Sequence, residues 1–266
     1  MSYFNFSPIA ALALSISVLA ALPSADAQTT SAATPVCAAP AAFMRLEHPL
    51  VRTATRLAAG EAITIVALGS SSTAGAGASS PALSYPARLE ADLRARFPSA
   101  RITVLNRGVN GEDARQMLAR FDETVLAEKP DLVLWQVGTN AVLRDHALDG
   151  EAPLLREGIA RLKGIKTDIV LLDSQYAPKV LAKKDIGGMI ELMRTIAAEE
   201  KIGVFRRFAI MQHWHEIDQV SFDTLLSPDG LHMNDWSYGC VAKLLSIALT
   251  DAARIPAMAG IPAKRN

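Results

Sequence analysis

The chain has 266 residues, of which half are hydrophobic and a fifth are charged, a composition that excludes intrinsic disorder. Its 27 basic side chains are balanced by 27 acidic ones, so it lacks the basic excess of a nucleic-acid-binding surface. Two cysteines are too few for a cysteine-rich zinc site. We therefore expect a globular protein with a large core and no nucleic-acid partner.

The first 27 residues have the pattern of a secretory signal peptide. An apolar run from Pro8 to Leu22 is followed by Ala25-Asp26-Ala27, a small-x-small cleavage signature. The run is about 15 residues long, shorter than the roughly 20 that a membrane span needs. The pattern predicts cleavage before Gln28, export to the periplasm or the extracellular space, and no membrane span in the mature protein. Because residues 1–7 carry no Lys or Arg, an N-terminal anchor or a mis-assigned start stays open as the alternative.

Composition divides the rest of the chain into three segments. Residues 28–42 are rich in Thr, Ser, Ala and Pro and are expected to form a flexible N-terminal segment. The folded domain is expected to span 43–254, since it contains no repeat and no linker long enough to split it. Residues 255–266 carry two prolines and a glycine without periodicity and are expected to be a C-terminal tail.

Within the domain, short apolar runs alternate with amphipathic helical stretches. The runs predict strands at 63–68, 102–105, 132–137, 169–172 and 202–205. The helical stretches run from Ser84 to Phe97, from Gly111 past Val125, from Leu155 to Gly164, through Met189 to Ile196, and from Asp235 to Ala252. The alternation predicts an α/β three-layer sandwich, with a central, mainly parallel five-stranded sheet between helices on both faces. In such sheets the site lies at the carboxyl ends of the strands.

Unusual residues follow three of these strands and occupy one late loop. The first strand continues into LGSSSTAGAGAS, the second ends in NRGVNGED and the third in VGTNA. The late loop, SPDGLHMND, places Asp229 and His232 three residues apart, so they lie side by side on a turn-like or helical backbone. A carboxylate beside an imidazole holds one tautomer and stabilises its cation, which is what a general base for a hydroxyl nucleophile requires.

These four blocks, in this chain order, resemble those of the SGNH (GDSL) hydrolase family. Residues 69–75 resemble the GDSxTxG first block, and 110–113 are similar to the second. Residues 138–140 stand for the GxND block, and 229–232 fit the DxxH block. The resemblance covers about 63–232 and implies a flavodoxin-like fold and a serine esterase activity.

The resemblance also implies a role for each matched residue. Ser71 would be the nucleophile, Asp229 would orient His232, and His232 would activate Ser71. The N–H groups of Ser71 and Gly111 and the side-chain amide of Asn140 would form the oxyanion hole. Neither a metal nor a cofactor is implied.

The chain departs from the family pattern at two positions. Ser70 stands where the first block usually has Asp, and Ala141 stands where GxND ends in Asp. Neither change removes a catalytic group. Three consecutive serines, Ser70 to Ser72, are formally alternative nucleophiles, and the spacing from Gly69 favours Ser71.

A dinucleotide-binding fold is the main alternative of another class, because Gly75 and Gly77 follow the first strand. The third glycine of that motif is replaced by Ser80, and Asn106 stands near the position of the ribose-binding acid. A third class, a catalytically idle carbohydrate-binding module, conflicts with the presence of all four key residues.

A metal site is a further alternative, suggested by His213, His215 and Glu216. The surrounding segment, RFAIMQHWHE, looks helical, and side chains two residues apart on a helix diverge. The sequence therefore favours no metal site here.

The expected substrate is a small-molecule or glycan ester with a short acyl group, O-acetyl groups on carbohydrates included. Residues 69–84 and 140–151 are short and contain no long apolar run that could wall an acyl tunnel; Leu143 and Leu148 are the large apolar side chains of the second stretch. A thioesterase or lysophospholipase-type lipolytic hydrolase is the alternative within the family.

Export would expose Cys37 and Cys240 to an oxidising compartment. We expect a disulfide between them that pins the N-terminal segment to the last helix. The alternative is two unpaired cysteines, with Cys240 simply a small buried side chain.

Overall fold

The computed structural model describes residues 1–4 and 35–254. The chain divides into two compact units, 1–35 and 36–266, and every helix and strand described below belongs to the second. The predicted signal peptide, apart from residues 1–4, and the predicted tail at 255–266 lie outside the described residues. No helix in the described part of the chain is both long and apolar enough to cross a membrane.

Five strands form one sheet in which every neighbouring pair is parallel. The strands are β1 (Ile63–Gly69), β2 (Ile102–Gly108), β3 (Leu132–Gln136), β4 (Asp168–Leu172) and β5 (Gly203–Phe205). Their order across the sheet is β2-β1-β3-β4-β5, with Ile63 paired to Ile102 and Leu132 paired to Asp168. The predicted α/β fold with a five-stranded sheet is confirmed, and all strand pairs in it are parallel.

The helices of the described residues, in chain order, are α1 (Ala41–Met44), α2 (Val51–Ala58), α3 (Ser71–Ala74), α4 (Tyr85–Arg96), α5 (Ala114–Ala119), α6 (Phe121–Thr124), α7 (Thr139–Leu143), α8 (Leu148–Gly164), α9 (Pro178–Leu181), α10 (Ile186–Glu200), α11 (Arg207–Glu216), α12 (Phe222–Leu225) and α13 (Asp235–Ala253). Two 3₁₀ turns, Pro81–Leu83 and Leu126–Glu128, complete them.

Two helical layers cover the sheet. Helix α4 packs against β2 and α13, whereas α8 packs against β4 and α10, and α10 packs against β5. Right-handed crossovers from β1 to β2 and from β3 to β4 run in opposite directions across the sheet, so the two connections lie on opposite faces. Because β1 and β3 are neighbours, a crevice opens between their carboxyl ends, and this is where doubly wound sheets bind ligands.

The central strands are buried on both faces, while the edge strand β2 is not. All residues of β3, and all of β1 except Thr64, are buried. In β2 only Ile102 is fully buried, whereas the other edge strand, β5, is buried along its whole length. Of the two edges of the sheet, the one formed by β2 is therefore the more exposed.

One predicted helix is broken in the structure. The stretch predicted to run from Gly111 past Val125 forms α5, α6 and a 3₁₀ turn. Arg120 separates α5 from α6 with a non-helical φ of −111°, and its guanidinium group binds the Glu112 carboxylate and the Arg107 carbonyl. These contacts beyond the helix override the local periodicity.

The folded unit begins earlier than the predicted boundary at Phe43. Cys37 and Cys240 form a disulfide with their Cα atoms 5.3 Å apart. The Trp214 indole donates a hydrogen bond to the Ala38 carbonyl (2.6 Å). The end of the segment predicted to be flexible, from Val36 onward, is thus tied to α11 and α13.

Candidate active site

Ser71 lies at the carboxyl end of β1. The strand ends at Gly69, and Ser71 is the first residue of the one-turn helix α3, with a half-buried side chain. Its Oγ lies 2.8 Å from Nε2 of His232, a residue 161 positions later in the chain. The end of the first strand and the late loop are therefore in direct contact.

The other ring nitrogen of His232 faces Asp229. The distance between Nδ1 and Oδ2 is 2.5 Å, and Oδ1 of Asp229 accepts hydrogen bonds from the N–H groups of Leu231 and His232 and from the Ser227 hydroxyl, each at 2.9 Å. Desolvation opposes the charge on Asp229, but these hydrogen bonds together hold the pKa of its carboxyl well below the usual range. The anionic carboxylate can only accept, so Nδ1 donates, and Nε2 of the neutral ring is left to accept the Ser71 proton.

The loop after α3 passes very close to the histidine loop at Gly77. Its φ of +89° is in the left-handed region, and a Cβ there would lie 2.4 Å from the Met233 carbonyl oxygen and 2.9 Å from the His232 Cβ. Nearby, the Tyr238 hydroxyl donates to the Ala76 carbonyl (2.6 Å). Gly77, one of the two glycines that suggested a dinucleotide-binding loop, thus permits the contact between Ser71 and His232.

Asn140 is hydrogen-bonded to the loop that carries Gly111. Asn140 lies in α7, directly after β3, and its Nδ2 donates to the Glu112 carbonyl at 2.8 Å. The loop that carries Gly111 is tied to β1 by the hydrogen bond from the Val109 N–H to the Gly69 carbonyl (3.0 Å). The carboxyl ends of β1, β2 and β3 therefore contribute to one site.

Three N–H groups on the segments after β1, β2 and β3 donate to no acceptor in the described part of the chain. Within the described residues, the Gly111 N–H makes no hydrogen bond, and the Ser71 N–H has no acceptor within α3 because Ser71 is the first helical residue. Asn140 uses one of its two amide hydrogens on Glu112 and keeps the other. N–H groups without an intramolecular acceptor can bind an anionic oxygen.

Two arginines that the sequence analysis missed hold the Gly111 loop. Arg144 donates to the Gly111 carbonyl (2.5 Å) and pairs with Asp113 (2.8 Å). Arg120 pairs with the Glu112 carboxylate (2.7 Å). The sequence does contain a signal for Arg144, because it follows Asn140 by four residues and so lies on the same helical face.

Of the three consecutive serines, only Ser71 contacts His232 in the described part of the chain. Ser70 and Ser72 are 2% and 1% exposed. Ser70 is paired to Gln136, whose Oε1 accepts from its N–H (2.9 Å) and its hydroxyl (3.1 Å) and also from the Thr73 hydroxyl (3.1 Å). Gln136, the polar last residue of the otherwise apolar strand β3, thus anchors the position where the family pattern has Asp.

His213 and His215 lie on α11 and have separate partners. His213 Nε2 lies 3.6 Å from Asp218, whereas His215 hydrogen-bonds the Val220 carbonyl (2.8 Å) and stacks on Phe222 with ring centroids 3.8 Å apart. Among the residues that the structure describes, no cluster of three or more His, Cys, Asp or Glu side chains is placed to hold a metal ion.

The fold is that of the SGNH (GDSL) hydrolases, and in this chain Ser71, His232 and Asp229 form one hydrogen-bonded series at the carboxyl end of β1. Residues 36–255 match the non-GDSL lipase-like family, and the chain belongs to that family. Over 73 residues the chain is 37% identical to an acetylxylan esterase of Geobacillus stearothermophilus, an alignment that covers 27% of this chain and 32% of that enzyme. The chain thus aligns with about a third of that enzyme's length.

Several solved structures share the fold. A two-domain esterase (CEX) active on acetylated mannans superposes with a TM-score of 0.66 at 21% identity, covering 84% of this chain and 59% of that one. The acetylxylan esterase Axe2 of Geobacillus stearothermophilus gives 0.58 at 22% identity, covering 73% and 94%. TesA gives 0.61 at 21% identity, covering 71% and 99%. At these identities the similarity shows the fold, and together with the family match it confirms the resemblance inferred from the four blocks.

Proposed function

We propose that this protein is an exported, metal-independent serine ester hydrolase that removes short acyl groups, with O-acetyl groups on carbohydrates as the favoured substrates. The observation that carries the proposal is the unbroken chain of hydrogen bonds from Ser71 through His232 to Asp229, beside three N–H donors. A glycan or small-molecule ester is the expected ligand. Because basic and acidic residues are equal in number, the chain has no excess of basic side chains for binding nucleic acid.

Acylation begins at the Ser71 hydroxyl. As its Oγ attacks the ester carbonyl carbon, its proton passes to Nε2 of His232, and the Asp229 carboxylate stabilises the imidazolium. The carbonyl π electrons move to the oxygen, which becomes an oxyanion bound by the N–H groups of Ser71 and Gly111 and by the Asn140 amide. When the tetrahedral intermediate collapses, the bond to the alcohol breaks and His232 protonates the leaving oxygen.

Deacylation repeats these steps with water. His232, neutral again, takes a proton from a water molecule whose oxygen attacks the acyl carbonyl, and the same donors bind the second oxyanion. Collapse breaks the bond to Ser71 Oγ, His232 returns the proton to that oxygen, and the carboxylic acid leaves.

The surroundings of the site support a short acyl group. Leu148 packs against α10 at Gly188, and both Leu143 and Leu148 are partly buried against the core. These side chains therefore do not wall an acyl tunnel. Each methylene that enters such a tunnel contributes about 0.8 kcal/mol, so a site without one has little preference for long chains.

Two observations support a carbohydrate substrate and export. Similarity to an acetylxylan esterase and to an esterase active on acetylated mannans supports acetylated polysaccharides. The signal-like residues 1–27 and the disulfide between Cys37 and Cys240 support an oxidising compartment, where disulfides persist.

The test uses the chain without residues 1–27. We expect a fluorophosphonate to label the wild type and the Ser70→Ala variant but not Ser71→Ala. We expect Ser71→Ala and His232→Ala to abolish ester hydrolysis without unfolding, and Asp229→Ala to lose less. An inactive Ser70→Ala beside an active Ser71→Ala would place the nucleophile at Ser70.

Substrate class is tested by kcat/KM across p-nitrophenyl esters of two to twelve carbons and by acetate release from acetylated xylan and mannan. Turnover of acetyl to butyryl esters is expected. A preference for eight carbons or more contradicts the short-acyl proposal and indicates a lipolytic enzyme or thioesterase. Absence of labelling and of hydrolysis indicates an idle carbohydrate-binding protein.

A further inference from the structure

Gln175 lies behind the site, 1% exposed, three residues after the end of β4. Its Nε2 donates to the Leu231 carbonyl at 3.2 Å. Its Oε1 lies 3.5 Å from the Ser72 hydroxyl and 3.4 Å from the Thr139 hydroxyl, whose nearer partner is the Ser174 hydroxyl at 3.0 Å. One buried amide thus joins three separate segments of the chain.

Each of the three contacted residues is the immediate neighbour of a residue in the proposed mechanism. Ser72 follows the nucleophile, Thr139 precedes the oxyanion donor Asn140, and Leu231 precedes the general base His232. The segments come from the ends of β1 and β3 and from the late loop. Gln175 is therefore the point where the three parts of the site meet.

A buried guanidinium group holds Gln175. Arg207, the first residue of α11, is fully buried, and its Nη2 donates to the Gln175 Oε1 at 3.1 Å. Its Nε donates to the Asp173 carbonyl (3.0 Å), and the next residue, Phe208, donates its N–H to the Asp173 carboxylate (2.8 Å). Burying a guanidinium group costs free energy, and here two of the three guanidinium nitrogens donate hydrogen bonds to the segment that carries Gln175.

We propose that Gln175, held by Arg207, is a positioning residue that places the nucleophile, the oxyanion donor and the general base relative to one another. This inference rests on the proposed function. Gln175 is buried and acts through the neighbours of these groups, so it is not itself a catalytic residue. An amide suits the role because it offers both an acceptor, for Arg207 and the two hydroxyls, and a donor, for the Leu231 carbonyl.

Two substitutions at Gln175 remove different hydrogen bonds of its side-chain amide. Gln175→Met keeps the side-chain length but loses the donor and the acceptor. Gln175→Glu keeps an acceptor for Arg207 but cannot donate to the Leu231 carbonyl. Thr53→Val is the matched control. It removes a buried hydroxyl that donates to Asp168 (2.7 Å), the first residue of β4, at the amino-terminal ends of the strands and so away from the site.

We expect both Gln175 variants to lose about 10- to 100-fold in kcat with KM changed less than threefold, since small misplacements of reacting groups cost this much. Thr53→Val is expected to keep the wild-type kcat even where it lowers the unfolding temperature. In proton NMR, the downfield resonance of the hydrogen bond between Asp229 and His232 is expected to shift or broaden in both Gln175 variants and not in the control.

Wild-type kcat and an unchanged resonance in the Gln175 variants would overturn the proposal, as would an equal loss of kcat in Thr53→Val. If Gln175→Met does not fold, Gln175→Glu decides by the same two measurements. If the wild type hydrolyses no ester, the proposed function fails, and the histidine resonance still shows whether Gln175 positions His232.

Discussion

The side-chain amide of Asn140 donates a hydrogen bond to the main-chain carbonyl of Glu112, with an Nδ2 to O distance of 2.8 Å. This contact links the start of α7 to the loop after β2 and fixes which end of the amide carries the N–H groups. One N–H donates to Glu112; the other N–H, like that of Gly111, has no acceptor among the residues that the structure describes. A structural contact between α7 and the loop after β2 thus orients the proposed oxyanion donor.

Asn140→Ala is expected to lower kcat roughly 10²- to 10³-fold, or about 3 kcal/mol, the usual range for one oxyanion donor. KM should change little, because the donor acts mainly on the charge that develops in the transition state. Steady-state kinetics on an acetyl ester measure the effect, and the thermal unfolding midpoint shows whether the fold is retained. A loss below fivefold would remove Asn140 from the oxyanion hole.

Gly77→Ala is expected to destabilise the protein and reduce turnover together. The new Cβ would lie 2.4 Å from the Met233 carbonyl oxygen in backbone with φ of +89°, so the histidine loop has to move. Gly187→Ala, near the start of α10, is the control, since nothing lies within 4 Å of its Cβ position, and it should be neutral or slightly stabilising. Equal behaviour of the two variants in unfolding and kcat measurements would contradict the close contact at Gly77.

Asp173 is expected to make stability fall as pH rises from about 4 to about 7. Burial raises the pKa of its carboxyl to about 7, only partly offset by hydrogen bonds and nearby arginines. The folded state therefore favours the protonated form, which imposes no penalty at low pH. Between pH 3.8 and about pH 7 the Asp173 carboxyl is ionised in the unfolded state but protonated in the folded state. The free energy of unfolding therefore falls by up to about 4 kcal/mol across this range.

Asp173→Asn should therefore become more stable relative to the wild type as the pH rises through this window. Urea unfolding between pH 4 and pH 8 measures the difference. The exposed Asp149→Asn variant is the control and should follow the wild-type pH dependence. A difference between Asp173→Asn and the wild type that does not vary with pH would refute the raised pKa.

The disulfide between Cys37 and Cys240 is expected to stabilise the mature protein by up to about 5 kcal/mol, because it closes a loop between residues 203 positions apart. Thiol titration of the native protein should find no free thiol, and a reductant should lower the unfolding midpoint. A double variant, Cys37→Ser with Cys240→Ala, should start from the lower midpoint and not respond to the reductant. Two titratable thiols in native protein would contradict the bridge.

Local pattern in the sequence determined the sheet and most of the helices. Strands such as 63–68 and 132–137 are short runs of apolar side chains, and burial on both faces of a sheet requires that composition whatever surrounds them. The contact between Asp229 and His232 also depends only on neighbouring residues, because a spacing of three residues on a tight loop brings the two side chains together. Because both depend only on residues close together in the chain, the strands and the Asp229–His232 pair could be predicted from the sequence alone.

Contacts between distant segments were decided only by the tertiary structure. Arg120 breaks a helix through partners in β2 and in the loop after it. Cys37 and Ala38 are held on the domain by Cys240 and Trp214. Gln175 has no sequence spacing that relates it to Ser72, Thr139 and Leu231, since the parallel crossovers bring these residues together in space. A hydrogen-bonded network made of residues 36 to 103 positions apart leaves no periodicity, and for that reason its centre could be found only in the folded chain.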